Sequence, residues 1–323
     1  MTKIKFLIFL ILGIFIFHWV YKFFAGPESI RLILNAKYKI FYLVIAHIPT
    51  LYFDSLAWII LMKNKLSMKT AFIITWISQT SGKFIPSGNI TGEFVRFYLA
   101  RRSGQKFSEA SSTVLMDLFI ATFSLFLIGL AALIFIVFSL KSNLILNQFQ
   151  YLILAFSLIS LGTLFFLLII RKRVISKFLV ITKKIEFLSK KNIFNLLRLD
   201  ISLNKLSHRK WRLLNAVVLR LMGWIAGAFE IYVFLWVIGV DAKISDVIII
   251  ESVTAIIRSA AFFIPSAIGV QELAFVIVGE LVGYSSIVSF SVAIGRRLRE
   301  IMVGIPAIIT WIIIFRKQSN HFN

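Results

Sequence analysis

Two stretches of the sequence place a carboxylate inside apolar surroundings. Phe84 to Phe94 reads FIPSGNITGEF and Phe263 to Leu273 reads FIPSAIGVQEL, so a proline break precedes Glu93 in one and Glu272 in the other. The helix dipole favours a carboxylate in the first turn of a helix. An ionisable group inside a membrane is also a candidate for binding a proton or a cationic headgroup. Both interpretations are open for each glutamate.

Further charged residues interrupt the apolar sequence. A charge at the centre of a bilayer costs at least about 2.5–3.5 kcal/mol, so such residues indicate function or ion pairing. Asp54 and Arg220 lie nearer the ends of apolar runs, and we expect them to reach the membrane surface. The interior set is Lys83, Glu93, Asp117, Glu230, Glu251, Arg258, Glu272, Arg296, Arg297, Arg299 and Glu300.

Some of these residues are of the types that bind phosphate groups. Lys83, Arg258 and Arg296 could bind a phosphate, together with backbone N–H groups at the starts of helices. Arg296 and Glu300 have the spacing of a local helical ion pair.

Composition indicates a polytopic membrane protein. Of the 323 residues, 59% are hydrophobic and 15% charged, against about 25% charged in a soluble domain. The net charge of +22 lies mostly in short loops, which favours membrane topology over nucleic-acid binding. The chain has no cysteine, and its four histidines lack metal-site spacing, so we expect neither a metal nor a cofactor.

Hydropathy predicts an all-α fold with about six full transmembrane helices and two re-entrant hairpins. The hairpins cover 69–102 and 245–282, broken at Gly82 to Ile90 and at Ile264 to Gly269. Their arms span about 18–28 Å, less than a hydrocarbon core of about 30 Å. Full broken spans are the alternative to hairpins. The predicted full spans are 4–21, 40–62, 109–138, 150–170, 212–239 and 285–315.

Charge asymmetry predicts the orientation. With the N-terminus inside, the inner segments carry 24 Lys and Arg and the outer loops carry 6, so both termini are expected in the cytoplasm. Residues 171–211 form a basic linker between a first membrane half, 1–170, and a second, 212–323. An amphipathic helix on the inner leaflet or a solvated linker would both suit this segment. The apolar positions of such a helix are Val174, Phe178, Ile181, Ile185 and Leu188.

An internal repeat relates the two halves. A shift of 179 residues places Phe84 on Phe263, Glu93 on Glu272 and Gly104 on Gly283. The predicted topology makes the halves inverted, and inverted repeats with interrupted segments are typical of transporters. The same shift places Asp117 on Arg296. These two could pair, either as a buried ion pair that fixes packing or as a gate.

The motifs resemble a known family. GKFIPSGNITGEFVRFYLARRSG, followed by Asp117, and IPSAIGVQELAF with LVGYSSIVSFSVAIGRRLREIMVGIPAIITW resemble the flippase-like transmembrane region of lysylphosphatidylglycerol synthases. The resemblance covers about 40–315 and is closest to the free-standing, hopanoid-biosynthesis-associated branch. The first motif departs from the family, which usually has more small apolar residues than SGNITGE. The family's motif residues would be Pro86, Gly92, Glu93 and Arg96, and Pro265, Gly269, Glu272 and Arg296.

The resemblance implies a bacterial inner-membrane protein that moves a polar-headed lipid between leaflets. Its expected partners are anionic or hopanoid-type lipids and possible lipid-biosynthesis proteins, with no nucleic acid. A non-catalytic accessory subunit is the alternative, and a lipid-modifying enzyme is less favoured. We expect no catalytic residues. The predicted translocation residues are Lys83, Pro86, Gly92, Glu93, Arg96, Asp117, Glu230, Arg258, Pro265, Gly269, Glu272 and Arg296.

Overall fold

The structure is a computed structural model that describes most of the chain. The described residues are 3–84, 90–139, 157, 160–162, 164–173, 176–177, 190–261 and 264–317. Within these ranges all regular structure is helical, which confirms the all-α class.

The described ranges contain eleven numbered helices and three short helical turns. The first part of the chain contains α1 (Lys3–Val20), a π-helical turn (Tyr21–Ala25), α2 (Gly26–Asn35), a 3-10 turn (Lys37–Phe41), α3 (Tyr42–Leu61), α4 (Met68–Phe84), α5 (Ile90–Arg102) and α6 (Phe107–Ser139). The second part contains α7 (Lys190–Ser207), α8 (Lys210–Val237), α9 (Ile244–Ala260), a 3-10 turn (Pro265–Ala267), α10 (Val270–Leu281) and α11 (Ser286–Lys317). Neither α2 nor the two turns beside it were expected from the sequence.

Four helices in the described ranges are long and apolar enough to cross a membrane. They cover Leu7–Phe24, Lys37–Leu61, Phe107–Ile136 and Lys210–Val237 and coincide with four predicted spans. The predicted span at 285–315 is also one helix, α11, but its centre carries four charged residues. About half of the predicted span at 150–170 lies outside the described residues, and its end is a short apolar helix, Ser160–Arg171.

Both interrupted segments break close to the expected positions. Helix α4 continues two residues beyond Gly82 and ends at Phe84, and α5 begins at Ile90. Helix α9 ends at Ala260 and α10 begins at Val270. The 3-10 turn between α9 and α10, with its flanking residues Ile264 to Gly269, is called the second elbow below. Re-entry of the arms on one side of the membrane stays a prediction.

The same turn closes each interrupted segment. Gly104 has φ +90° and Gly283 has φ +100°, in the left-handed region that glycine adopts without strain. In the first turn the amides of 103, 104 and 105 donate to the carbonyls of 99, 101 and 100. In the second, the amides of 282, 283 and 284 donate to the carbonyls of 278, 280 and 279, which is the same pattern shifted by 179 residues. The long helices that follow, α6 and α11, have 33 and 32 residues.

The chain divides into two compact units that alternate along the sequence. Unit 1 comprises Met1–Tyr52, Thr75–Val95 and Met222–Asn323, and unit 2 comprises Phe53–Ile74 and Arg96–Leu221. The two consecutive membrane halves, 1–170 and 212–323, stay a prediction. Each unit boundary falls within α3, α4, α5 or α8, so the two ends of each of these helices belong to different units.

The core of unit 2 includes part of the predicted basic linker. Leu199, Leu203 and Leu206 of α7 recur at steps of four and three, and they are buried with Met116 and Ile120 of α6. One face of the described end of the linker therefore packs on protein. The five apolar positions predicted for an interfacial helix, from Val174 to Leu188, lie outside the described residues.

Helix α1 packs against the second elbow in unit 1. A Cβ on Gly13 would lie 2.9 Å from the carbonyl oxygen of Ile268. Gly269 has φ +81°, and a Cβ there would clash with the Gly13 carbonyl. Glycine is needed at both positions because the two backbones approach closely. Nearby, Val20, Val276 and Phe290 form a buried apolar cluster.

Candidate functional site

Helix α11 carries four charged side chains within five residues, all in unit 1. Arg296, Arg297, Arg299 and Glu300 follow one another along the helix, which turns by about 100° per residue. They therefore point to different partners. Arg299 and Glu300 are buried, with 1% and 8% of their surface exposed.

Arg296 pairs with Glu251 of α9. Its Nη2 donates to Glu251 Oε1 at 2.8 Å, and its Nη1 donates to Oε2. Such two-point contacts between guanidinium and carboxylate are among the strongest ion pairs in proteins. The guanidinium also lies 5.8 Å from the ring centre of Phe275. The local pairing of Arg296 with Glu300, suggested by their spacing, is not the one adopted.

Arg297 joins α11 to the second elbow. Its Nε donates to Glu272 Oε1 at 2.7 Å, and its Nη2 donates to the carbonyl of Ser266 at 3.0 Å. Glu272, which is fully buried, accepts the backbone N–H of Gly269 at 2.7 Å through Oε2. Glu272 therefore lies in the first turn of α10, as predicted, and fixes non-helical backbone that includes Ser266 at φ 52°.

A buried histidine enters the site through Glu230. Arg299 Nε donates to Glu230 Oε1 at 2.7 Å, and His47 Nδ1 lies 2.9 Å from Glu230 Oε2. The sequence offers no reason to include His47, because none of the four histidines has metal-site spacing. No local pattern could have revealed the contact, since His47 and Glu230 are 183 residues apart in the chain.

The end of α4 reaches the second elbow. Lys83 Nζ lies 3.7 Å from Glu300 Oε1, and Glu300 Oε2 accepts from Arg297 Nη1 at 3.2 Å. The hydroxyl of Ser266 donates to the carbonyl of Lys83. The last described residues before the first break thus touch the second elbow. Pro86 lies outside the described residues, so the first break is related to the second elbow here through Lys83.

A small polar cavity lies within unit 1 beside this network. Lys83, Arg299, Glu300 and His47 contribute to its lining, and α4 adds Gln79. It has room for about one water molecule. Arg258 of α9 donates to the side-chain oxygen of Gln271 at 3.3 Å.

The first interrupted segment is held by close helix packing. A Cβ on Gly92 would lie 2.6 Å from the carbonyl oxygen of Ser78 and 3.3 Å from Gly82 Cα, so α4 and α5 approach more closely than a side chain allows. Glu93 lies in the first turn of α5, as predicted.

Unit 2 contains a separate group of buried charges. Asp117 is fully buried and accepts from Arg96 Nη1 at 2.5 Å and from Arg220 Nε at 3.2 Å. Arg220 also donates to Asp54 at 2.5 Å, and the Arg96 guanidinium lies 5.5 Å from the ring centre of Trp58. The expectation that Asp54 and Arg220 reach the membrane surface is wrong, because each is at most 8% exposed.

The two groups also correct the suggested pairing of Asp117 with Arg296. Each of these residues is paired within its own unit, Asp117 with two arginines and Arg296 with Glu251. Unit 1 brings together seven predicted residues: Lys83, Glu230, Arg258, Pro265, Gly269, Glu272 and Arg296. The residues that sequence reasoning left out of the site are His47, Glu251, Ser266, Arg297, Arg299 and Glu300.

In the described ranges, no group of three or more His, Asp or Glu side chains is arranged to hold a metal ion. The side chains of the site instead form charge-assisted hydrogen bonds. Such an arrangement can bind a charged group by exchanging one partner for another.

Comparison with known families decides the relationship. The family model of the lysylphosphatidylglycerol synthase TM region matches residues 4–307. The chain belongs to this family. Membership identifies a membrane protein related to lipid handling, and the matched region includes both charge groups and both interrupted segments. No curated protein and no solved structure matches the chain.

Proposed function

We propose that this family member is a lipid translocase, moving a phospholipid or a hopanoid-type amphiphile between the leaflets of the bacterial inner membrane. The observation that carries the proposal is the charge network of unit 1. It connects α4, α8, the second elbow, α10 and α11 through ion pairs and a hydrogen bond to the backbone.

Burying these charged side chains in a membrane protein costs free energy, so their presence indicates a function. Ionisable side chains inside membrane segments are rare and usually mark pathways for ions or substrates. Backbone that leaves helical geometry at membrane depth is tolerated where it is buried in protein or lines an aqueous cavity. The second elbow combines non-helical backbone with a charged partner. Ser266 has a left-handed backbone conformation, and Arg297 donates a hydrogen bond to its carbonyl at 3.0 Å. Together they favour a polar path for a headgroup, with the lipid tails remaining in the bilayer.

The matching turns at Gly104 and Gly283 support an internal repeat. Three equivalent hydrogen bonds and two left-handed glycines at a constant shift indicate that the same supersecondary unit occurs twice. In our proposal the copies are inverted, the interrupted segments are re-entrant hairpins, and both termini are cytoplasmic. Inverted repeats with broken helices allow a site to open alternately to each side.

The proposed reaction changes the position of the lipid and none of its bonds. The protein is therefore not an enzyme in this proposal, and its partners are membrane lipids. The buried side chains of the site are engaged in ion pairs rather than arranged as a nucleophile with an adjacent base.

A leaflet-resolved exchange assay tests the proposal. The full chain is reconstituted into phosphatidylcholine vesicles with a fluorescent phosphatidylglycerol or hopanoid, and an impermeant reagent reports the outer-leaflet fraction over time. We expect exchange to be faster than in protein-free vesicles. Glu272→Gln should slow it about tenfold, because a charge-assisted hydrogen bond contributes about 1.5–3 kcal/mol and about 1.4 kcal/mol corresponds to tenfold.

Glu280→Gln is the matched control. Glu280 lies on the same helix but is exposed, so its replacement should leave exchange unchanged. Exchange no faster than in protein-free vesicles for both lipids would refute the translocase. A change in the mass of the lipid would instead support an enzyme, and exchange that requires an added protein would support an accessory subunit.

A further inference from the structure

The polar cavity of unit 1 contains cationic groups whose hydrogen-bonding capacity is not used. Arg299 is 1% exposed, and its Nη1 has no hydrogen-bond partner among the described residues. A buried donor without an acceptor is unfavourable, and more so when the group is charged. Arg299 Nε is already engaged by Glu230, so the guanidinium is held in place while one of its nitrogens remains unsatisfied.

Lys83 lines the same cavity with a similarly incomplete environment. Within the described ranges, its ammonium has one ion pair, to Glu300 at 3.7 Å, which is longer than a hydrogen bond. An ammonium has three donors and no acceptor. The side chain of Lys83 is 29% exposed, against 1% for Arg299, so the cavity has a more accessible end at Lys83.

From these observations we infer that Lys83 and Arg299 bind an anionic phosphate oxygen in this cavity. The available space holds about one water molecule, and a single phosphate oxygen has a comparable size. An anion is favoured over a water molecule because both donor groups, the Lys83 ammonium and the Arg299 guanidinium, are charged, and hydrogen bonds between charged partners are the stronger kind. The rest of the phosphate would lie toward Lys83.

The inference rests on the proposed function, since it names the substrate class as lipids with a phosphate in the headgroup. Glu300 then competes with the phosphate for Lys83, because Glu300 Oε1 forms an ion pair with the Lys83 ammonium. This arrangement predicts opposite effects for two neighbouring substitutions. Lys83→Gln removes a donor to the phosphate, whereas Glu300→Gln removes a competing carboxylate.

Binding measurements on the full chain in detergent test the inference. The probes are dioctanoyl phosphatidylglycerol, dioctanoylglycerol, which lacks the phosphate, and inorganic phosphate. We expect phosphatidylglycerol to bind at least about tenfold more tightly than dioctanoylglycerol. Lys83→Gln should weaken phosphatidylglycerol binding about tenfold, and Glu300→Gln should strengthen it.

Lys69→Gln is the matched control, because Lys69 is an exposed lysine near the start of the same helix. It removes the same net charge and should leave affinity unchanged. Circular dichroism and size exclusion confirm that each variant is folded. Equal affinities of wild type, Lys83→Gln and Glu300→Gln would overturn the inference, as would equal binding of the two lipids.

The inorganic phosphate arm distinguishes the source of the anion. The same variant pattern with inorganic phosphate supports a site that also accepts free phosphate, whereas the pattern with phosphatidylglycerol alone supports a lipid headgroup. Failure of the inference is separable from failure of the proposed function. Exchange without the variant pattern would overturn the phosphate site alone. The pattern without exchange would overturn the translocase alone.

Discussion

Replacing Asp117 by Asn tests whether buried charges hold unit 2 together. Asp117 is fully buried and accepts hydrogen bonds from Arg96 and Arg220. Removing one partner of a buried ion pair costs about 3–5 kcal/mol, because a charge is left without its counter-charge. Arg220 keeps Asp54 at 2.5 Å, and Arg96 keeps the face of Trp58, a contact worth about 0.5–2 kcal/mol. We therefore expect a loss near the lower end, about 3 kcal/mol.

The assay is reversible unfolding of the purified protein in mixed micelles, followed by tryptophan fluorescence as the denaturing detergent increases. Asp241→Asn is the control, because Asp241 is exposed and should change stability by no more than about 0.5 kcal/mol. Combining Asp117→Asn with Arg96→Gln should cost less than the sum of the two changes, since the pair is lost only once. A loss below about 1 kcal/mol for Asp117→Asn, or strict additivity in the double variant, would refute the reasoning.

The remaining predictions concern unit 1. Gly92→Ala should destabilise the protein by about 1–3 kcal/mol in the same unfolding assay, because its Cβ would lie 2.6 Å from a backbone oxygen. The control Gly162→Ala, which has open space around its Cβ, should not destabilise the protein. Gly269→Ala should lower the free energy of unfolding by about 1–3 kcal/mol, since φ at this position is +81°. An unfolding curve like that of the wild type would contradict the observed close approach of the two backbones. Glu230→Gln should slow lipid exchange and lower stability, because it leaves Arg299 without its carboxylate; unchanged exchange would place this pair outside the pathway.

The predictable part of the fold is the part set by local sequence. Long apolar runs must become helices in a membrane, because every backbone polar group needs a partner within the protein. The break before α10 follows from Pro265 and Gly269, and the observed α9 and α10 end and begin on either side of them. The position of Glu272 in the first turn of a helix follows from the same local rule.

The partners of the charged residues could not be predicted in this way. Arg296 has a carboxylate four residues away on its own helix, yet it binds Glu251, 45 residues earlier in the chain. A planar guanidinium gains more from a two-point contact with a facing carboxylate than from a stretched contact along one helix. Such contacts depend on which helices face each other, and the periodicity of a single helix does not encode that.

The two charge groups differ in a way that assigns them different roles. In unit 2, both oxygens of Asp117 accept from arginines, so a ligand would have to displace an existing partner. In unit 1, Arg299 Nη1 has no partner among the described residues and lines a polar cavity, so one charged donor is available to a ligand. A saturated buried network mainly fixes the packing of helices, whereas an incompletely satisfied one provides capacity for recognition. Arg96 and Asp117 therefore fit a packing role, and the headgroup recognition that we propose fits unit 1.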